Sequence, residues 1–595
     1  MKLATVELTG FRNFKSSVIN FQEKSLVIGA NDVGKTNLIW AIRLLLDKGL
    51  TEYDIEPRDS DFYAYEETNN FTIKLRFTEV TEDCVVSKLK GQISDQDELL
   101  LVFEGVRDPV TKAKKYRLLA GPSDAGLEEI QERFYRKVLN LRYISCRRDF
   151  HSYINKEKHN LLYQAKENRT EEQAADDNRL IGEISTNLKG IDERIPQLSF
   201  VANATQTINA ELNKLSLHHQ RQNIVFNAGT SNIDNFIDDV SISSKRGDKN
   251  LLIGGDGRLN QVYLSLWAAR NEISEENVQE VSIICIEEPE AHLHPHQQRK
   301  LSEYLSTSIH SQVIITSHSP QIASEYSPNS IVRLVDRGAG AYAASKGCSD
   351  IIDEAFSDFG YRMSIIPAEA FFADVVLLVE GPSEELLYRT LAKQIGIDID
   401  RLNMSILMVD GVGFKTFIKI LAALEIEWVV RTDNDTFKIP KKAEYRRAGV
   451  QRLISFYRQN GKPDAAFEAV LAANEVALHG FGLPEPPATT NSANAVIPEL
   501  ERLNLFLSVA DLENDLYASE IKAELDEYYG TGNDDDDEEI SDDDNVVSRM
   551  QKKKAIFMYE FLKQHKTSLS KLKDNAIANP LHRCVEIVSR YHGAD

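Results

Sequence analysis

Two groups of residues in this chain have types and spacing suited to phosphate chemistry. The first begins with Gly29-Ala-Asn-Asp-Val-Gly34-Lys35-Thr36, a GxxxxGK[ST] loop. In such a loop the glycines let backbone N–H groups wrap phosphates at a helix N-terminus, the lysine reaches the β- and γ-phosphates and the hydroxyl ligates Mg²⁺. Lys35 and Thr36 take those roles here, and Asn31, Gly34 and Asn37 belong to the same nucleotide-binding segment. Two adjacent carboxylates complete the set: Glu287 for the Mg²⁺ shell and Glu288 to orient or deprotonate a water. The second group is Glu380, Glu384, Asp433 and Asp435. Four carboxylates in one pocket repel one another unless cations neutralise them. Oxygen-only ligands suit Mg²⁺ or Mn²⁺ rather than zinc, and two such ions suit in-line attack on a phosphodiester.

Both groups need strands to carry them. The pattern predicts a strand over 25–28 ahead of the loop and a helix over 37–47 behind it. An apolar strand over 281–286 delivers Glu287 and Glu288, and another over 313–315 ends in Thr316-Ser317-His318, where a histidine can sense a γ-phosphate. The alternation restarts later in the chain. A strand over 374–379 ends at Glu380-Gly381 before a helix from Ser383, and one over 404–409 ends at Asp410-Gly411-Val412-Gly413. A third, over 427–430, ends at Arg431-Thr432-Asp433-Asn434-Asp435. Strands alternating with helices predict an α/β fold with parallel sheets, and ligands of such sheets gather at the strand C-termini.

At 595 residues the chain exceeds one ordinary core. A net charge of −23 argues against nonspecific coating of nucleic acid, though not against a local basic groove. Lys112, Lys114 and Lys115, and Lys441, Lys442, Arg446 and Arg447, are basic clusters of that kind. No apolar run approaches the roughly 20 residues that cross a bilayer, and the opening MKLATVELTGF alternates like a strand instead of resembling a signal peptide. Five scattered cysteines suggest neither a disulfide framework nor a zinc site, so a reducing cytoplasm is expected. His292, His294 and His296 alternate as zinc ligands can, but no carboxylate or cysteine at ligand spacing accompanies them. A polar insertion over 151–221 carries Ile181, Ile184, Leu188, Ile191 and Ile195, a helical stripe of about two heptads read as a dimer-forming face. The acidic run over 533–545 reads as a solvated loop.

The order of a GKT loop, a long insertion, Glu287-Glu288-Pro289-Glu290 and a strand ending in Ser317-His318 resembles the ABC-type ATPases of the SMC, Rad50 and RecF group. The opening Phe11-Arg12-Asn13-Phe14 shares that resemblance and adds Arg12 to the nucleotide set. It implies ATP sandwiched between two heads, each completing the other's site with a signature segment. The candidate is Gly254-Gly-Asp256-Gly-Arg258-Leu-Asn-Gln261, in which the charge of Asp256 opposes a γ-phosphate and points to slow or absent hydrolysis. A strand ending in glutamate and a later one ending in DxD resemble the Toprim domain of topoisomerases, primases and certain nucleases.

The two in tandem resemble the overcoming-lysogenisation-defect nucleases, and among them the Gabija-type anti-phage nuclease subunits. That resemblance implies a late acidic strand in Phe506-Leu-Ser508-Val-Ala-Asp511-Leu-Glu513, with Asp511 and Glu513 as further metal ligands. It also implies a catalytic lysine in Gln551-Lys552-Lys553-Lys554, with Lys554 favoured. An ammonium there can stabilise a pentavalent phosphate or protonate the leaving oxygen.

The expected architecture is an ABC-type head over 1–150 and 222–347, a helical dimerisation insertion over 151–221, and a Toprim domain with C-terminal helices over 348–595. The expected function is a nucleotide-regulated DNA endonuclease using Mg²⁺ or Mn²⁺, with Glu380, Asp433, Asp511 and Lys554 catalytic and ATP–Mg²⁺ at the head. The resemblance further implies phage defence, a dimer or tetramer and a helicase-like partner subunit. The competing expectation is a RecF-like, nucleotide-gated DNA-binding or repair scaffold with an inactive Toprim fold.

Overall fold

The computed structural model describes residues 1–145, 150–215, 280–349, 368–409, 413–438, 445–459, 463–474, 495–530 and 545–592, apart from 308, 310, 339 and 553, with short pieces between 242 and 266. Asp256, Lys441, Lys442, Lys553 and the acidic run over 533–544 lie outside the described residues. Two compact units divide the chain. Met1–Cys146, Gln279–Glu290 and Pro295–Asp595 form the first, Arg147–Val278 and Ala291–His294 the second. Among the described residues no helix is long and apolar enough to cross a membrane.

The first unit begins with a six-stranded antiparallel sheet in the order Phe14–Asn20, Lys2–Phe11, Asn70–Thr78, Leu99–Arg107, Lys114–Gly121, Glu128–Ile130. Asn70–Thr78 alternates buried with wetter positions, the period-two signature of a strand with one face on a core. A second sheet runs Ala341–Ala343, Ile331–Asp336, Lys24–Ile28, Val313–Thr316, Val281–Glu287, Leu139–Ile144, parallel except for its first pair. Helix Lys35–Leu46 buries its apolar face in a core that also holds Leu8, Phe14 and Phe71 from the first sheet and Val27 and Ile314 from the second. The predicted strand ahead of the loop and the two that carry Glu287 and His318 are thus neighbours in one sheet.

A third sheet has four parallel strands in the order Met404–Met408, Val375–Val379, Glu427–Thr432, Leu505–Leu507. Val375–Val379 is buried at every position, as a central strand covered on both faces must be. The last strand ends at Leu507, so the acidic segment behind it is not the strand expected from the sequence: Asp511 caps a short helix, Leu512–Tyr517, and Glu513 lies on its first turn. An N-cap carboxylate satisfies a free backbone N–H of a helix start, which favours that local structure over further sheet.

The nucleotide-loop sheet is bolted to the four-stranded sheet by one buried cation. Arg333, on the strand beside Lys24–Ile28, sends its guanidinium to the backbone carbonyls of Leu424 and Glu425, both at 3.2 Å, and of Ala373 at 2.9 Å. Around it Tyr342 donates to the Glu425 carboxylate at 2.8 Å, Ser345 to the Ala423 carbonyl at 2.6 Å and Arg337 to the Glu425 carbonyl at 3.0 Å. Burial lowers the Arg333 pKa to about 10, yet leaves it charged at neutral pH.

The second unit contains helices Phe150–Glu167, Glu171–Arg194 and Ser199–Leu215. Thr170 and Gln173 form a reciprocal capping box that starts the middle helix. Of the apolar stripe on that helix Leu188 is buried, Ile181 is half-buried, and Ile184 and Ile191 are exposed. Of the signature segment, 257–260 is helical and the Asn260 amide donates to the Ala291 carbonyl at 3.0 Å.

Replacing Arg333 with leucine removes the donor of three buried carbonyl contacts. The expected loss is on the order of 2–4 kcal/mol, read as a lower thermal midpoint and earlier protease cleavage near residues 368–374. An unchanged midpoint would refute the role assigned to Arg333.

Candidate functional site

The phosphate loop is built as its sequence requires. Gly34 sits at φ 110°, and a Cβ there would meet the Asn13 side chain at 2.7 Å, so glycine is demanded by both conformation and space. Lys35 turns back into the loop, donating to the carbonyls of Gly29 at 2.8 Å and Ala30 at 2.7 Å. Burial lowers its pKa to about 8, against the opposing pull of Glu288, Asp32 and Glu290. Asn31 and Thr36 are exposed at the loop rim. Arg12 is held beside the helix start by Asp61, with Nη2 at 2.9 Å, and by the Asn37 side-chain oxygen at 2.9 Å, while Asn37 in turn donates to Asn13 at 2.9 Å.

Glu287 is buried, which raises its pKa, with hydrogen bonds from Tyr143 and Thr36 opposing the rise. The Tyr143 hydroxyl donates to its Oε2 at 2.6 Å, and the Arg43 guanidinium lies 3.7 Å above the Tyr143 ring. Glu288, at φ 44°, faces the His318 ring, Nε2 to Oε1 at 3.6 Å. Burial and then Lys35 lower the His318 pKa, favouring the neutral imidazole. Glu290 fixes that histidine's loop by accepting from the Ser317 hydroxyl at 2.7 Å and the His318 N–H at 2.8 Å. Lys35, Thr36, Glu287, Glu288 and His318 therefore come together as read from the sequence. Tyr143 is an addition that no motif announced, and Glu290, the last residue of the Glu287-Glu288-Pro289-Glu290 run, had been given no role of its own.

At the other sheet, three adjacent parallel strands release their acidic segments at the same edge. Glu380 Oε1 accepts the Asp433 N–H at 3.0 Å, the Thr432 hydroxyl and Arg452 Nη1 at 2.6 Å. Arg452 reaches onward through Nη2 to Asp435. Glu384 is committed elsewhere: Oε2 accepts the Gly381 N–H at 2.9 Å and Oε1 pairs with Arg431 at 2.7 Å. Arg431 also binds Asp515 at 2.9 Å and lies 3.9 Å from Asp433, which accepts from the Ser508 hydroxyl at 3.2 Å. Asp511 caps Asn514 N–H at 2.8 Å and accepts from Gln551 at 2.6 Å. Glu513 is buried with Lys554 Nζ 3.3 Å from its Oε2. Arg431, Arg452, Ser508 and Asp515 were not assigned roles from sequence. Asp515 has a faint signal, four residues beyond Asp511 on one helix. Arg452 has none, because it comes from a helix seventeen positions past Asp435 in the chain.

The electrostatics test whether this cluster suits divalent cations. Among the described residues seven carboxylates (Glu380, Glu384, Asp433, Asp435, Asp511, Glu513 and Asp515) gather with three cations, Arg431, Arg452 and Lys554. Burial raises the pKa of Glu384 and Asp515 against the opposing pull of Arg431, and that of Glu513 against Lys554. Asp433 rises to about 7, through burial and then the charges of Glu380 and Glu384. Burial opposes the charge of Lys554, but Glu513 and Asp433 outweigh it and raise its pKa. An oxygen-only, under-neutralised cluster fits Mg²⁺ or Mn²⁺. Among the described residues no three such ligands already stand at coordination spacing; in the resting cluster, Arg431, Arg452 and Lys554 stand between them.

A model of the overcoming lysogenization defect protein-like TOPRIM domain matches residues 371–435, and one of the AAA ATPase domain matches 1–139 and 127–323. The chain is 24% identical to an endonuclease, GajA of Bacillus cereus, over 87% of this chain and 90% of that one. It is 23% identical to the Old nuclease of Escherichia phage P2 over 73% and 77%, and 27% identical to an OLD nuclease of Thermus scotoductus over 33% and 39%. Among solved structures, an SMC head bound to the C-winged helix domain of ScpA aligns with 58% of this chain and 97% of that one, at 18% identity and a TM-score of 0.34.

The pKa shift of Asp433 has a definite sign for stability. Between about 4 and about 7 the folded chain holds a proton on this carboxyl that the unfolded chain has lost, so stability from this group falls as pH rises through that window. Asp433→Asn removes the fall. In metal-free buffer its melting temperature should exceed the wild type's by a margin that is small near pH 4 and widest above pH 7. Calorimetry across that range checks it, and a margin independent of pH would refute it.

Proposed function

The chain belongs to the AAA ATPase-domain family and carries an overcoming-lysogenization-defect-like Toprim domain, and from that premise we propose that it is a nucleotide-regulated, divalent-metal-dependent DNA endonuclease. The observation that carries this reading is the delivery of Glu380, of Asp433 with Asp435, and of Asp511 with Glu513 to one edge by three neighbouring parallel strands, with Lys554 beside them. Mg²⁺ or Mn²⁺ held by these carboxylates supplies an activated water and neutralises charge on the phosphodiester. Glu380 and Asp433 are pre-positioned by a shared hydrogen bond. Glu384 serves mainly to hold Arg431, and through it the approach of Asp433 and Asp515. Lys554 brings an ammonium to the cluster, suited to charge developing on the phosphate and to protonating the leaving oxygen.

At the head, Lys35, held by the Gly29 and Ala30 carbonyls, would reach the phosphates of a bound ATP. Thr36 and Glu287 share the Mg²⁺, Arg12, Asn31 and Asn37 line the loop, and Glu288 with neutral His318 addresses a water or the γ-phosphate. The charge of Asp256 in the signature segment makes this head one that binds nucleotide and hydrolyses it slowly. Exposed Ile184 and Ile191 on the insertion support self-association, as a dimer or tetramer of heads. Likeness to the Bacillus cereus endonuclease and the phage P2 nuclease supports nuclease activity; double-stranded DNA as substrate, action in phage defence and a helicase-like partner rest on the resemblance of the motifs to the Gabija-type subunits.

Plasmid cleavage with Mg²⁺ or Mn²⁺ tests the reading. Glu380→Ala should lower cleavage by about a hundredfold or more while ATP binding persists; retained cutting, or no cutting by the wild type on any DNA, would favour the scaffold reading instead. Lys35→Ala should weaken ATP binding and flatten the nucleotide dependence of cleavage without removing the metal requirement. A nucleotide response equal to the wild type's would count against coupling.

A further inference from the structure

We propose that Arg452 is a resident counter-cation that holds a divalent ion's place between Glu380 and Asp435, and so sets the metal concentration at which the site opens. The inference rests on the metal-dependent nuclease reading and concerns how its site is kept before metal arrives.

The guanidinium forks across two acidic segments. One arm binds Glu380 at 2.6 Å and the Thr432 hydroxyl at 2.6 Å, and the other binds Asp435. Glu380 and Asp435 lie at and just beyond the C-terminal ends of neighbouring parallel strands, so a cation bridging them neutralises the repulsion that otherwise forces them apart. A divalent ion held by the same two carboxylates would compete with the guanidinium for them. Arginine stays charged at any working pH, so it yields only by swinging away.

The neighbouring cation behaves differently. Arg431 has 3% of its side chain exposed and is enclosed by Glu384, Asp433 and Asp515, whereas Arg452 is 27% exposed. Arg431 is therefore a fixed part of the cluster and Arg452 a removable one. The backbone keeps Arg452 within reach. Its helix, Ala448–Gln459, is tied at the start to the acidic segment by Ala448 N–H to the Asp435 carbonyl at 2.8 Å. Gly449 packs so close that a Cβ would meet the Asp433 carbonyl at 2.6 Å. Displacement is thus a side-chain event on a pinned helix.

The test is Mn²⁺ binding to the full-length, nucleotide-free protein without DNA, followed by electron paramagnetic resonance of the free ion. The sites counted are those lost in Glu380→Ala. Arg452→Ala should bind Mn²⁺ about tenfold more tightly than wild type. Arg452→Lys keeps the charge but cannot fork across two carboxylates, and should fall close to the alanine variant. Circular dichroism and melting curves confirm that each variant is folded. Equal affinity in the wild type and the alanine variant overturns the inference alone. A lysine variant matching the wild type also overturns it, since charge without bridging would then suffice. Binding by none of the three proteins overturns the metal-dependent reading and the inference with it.

Discussion

The edge of the four-stranded sheet answers one electrostatic constraint: carboxylates delivered by three neighbouring strands to one edge cannot all stay ionised in a half-buried pocket without cations among them. Parallel order creates the problem, because it sends the C-terminal ends of Val375–Val379, Glu427–Thr432 and Leu505–Leu507 to the same side. The resting molecule solves it in layers. Arg431 is locked beneath the cluster, Lys554 approaches Glu513 from another helix, and Arg452 clasps the outer pair. Asp433 is nevertheless pushed up to about 7, first by its burial and then by the charges of Glu380 and Glu384.

The phosphate loop uses the opposite tactic. Its residents are carbonyls rather than cations: Lys35 is satisfied by Gly29 and Ala30 of its own loop. In both sites the lysine suited to phosphate chemistry has partners close by, the Gly29 and Ala30 carbonyls for Lys35 and Glu513 for Lys554. The supporting shell is more permanent. Tyr143 steadies Glu287, and Glu290 steadies the loop of His318, through hydrogen bonds between side chains and to the backbone that lie largely out of solvent.

Much of this was legible in the sequence, for physical reasons. Loop glycines, strand-end carboxylates and apolar runs are local signals, so the strands carrying Lys35, Glu287, His318, Glu380 and Asp433 were found within a residue or two at most of their ends. What escaped were partners contributed across long separations. Tyr143 reaches Glu287 across 144 positions and Arg431 reaches Asp515 across 84, and no periodicity encodes such pairs. Glu384 was read as a fourth carboxylate of the metal set, and spacing could not reveal that its oxygens also bind the Gly381 N–H and Arg431. The segment at Asp511 looked like a strand because it follows one, and the capping bond to Asn514 that turns it into a helix start is a competition between local structures. Lys554 was one of three lysines in sequence, and in space its Nζ lies 3.3 Å from Glu513.

The seam at Arg333 bears on how such a chain can be taken apart. The carbonyls of Leu424, Glu425 and Ala373 belong to the loops that enter the strands of Asp433 and Glu380, yet their donor comes from the nucleotide-loop sheet. A nuclease half excised at the obvious linker near residue 348 would lose that donor along with Tyr342 and Ser345. The unit of exchange between relatives, or of a grafted chimera, is therefore the nuclease half together with the hairpin Ile331–Asp336 and Ala341–Ala343. That hairpin is laid into the nucleotide-loop sheet, but in its bonding it belongs to both halves, and a cut drawn from sequence alone would separate them.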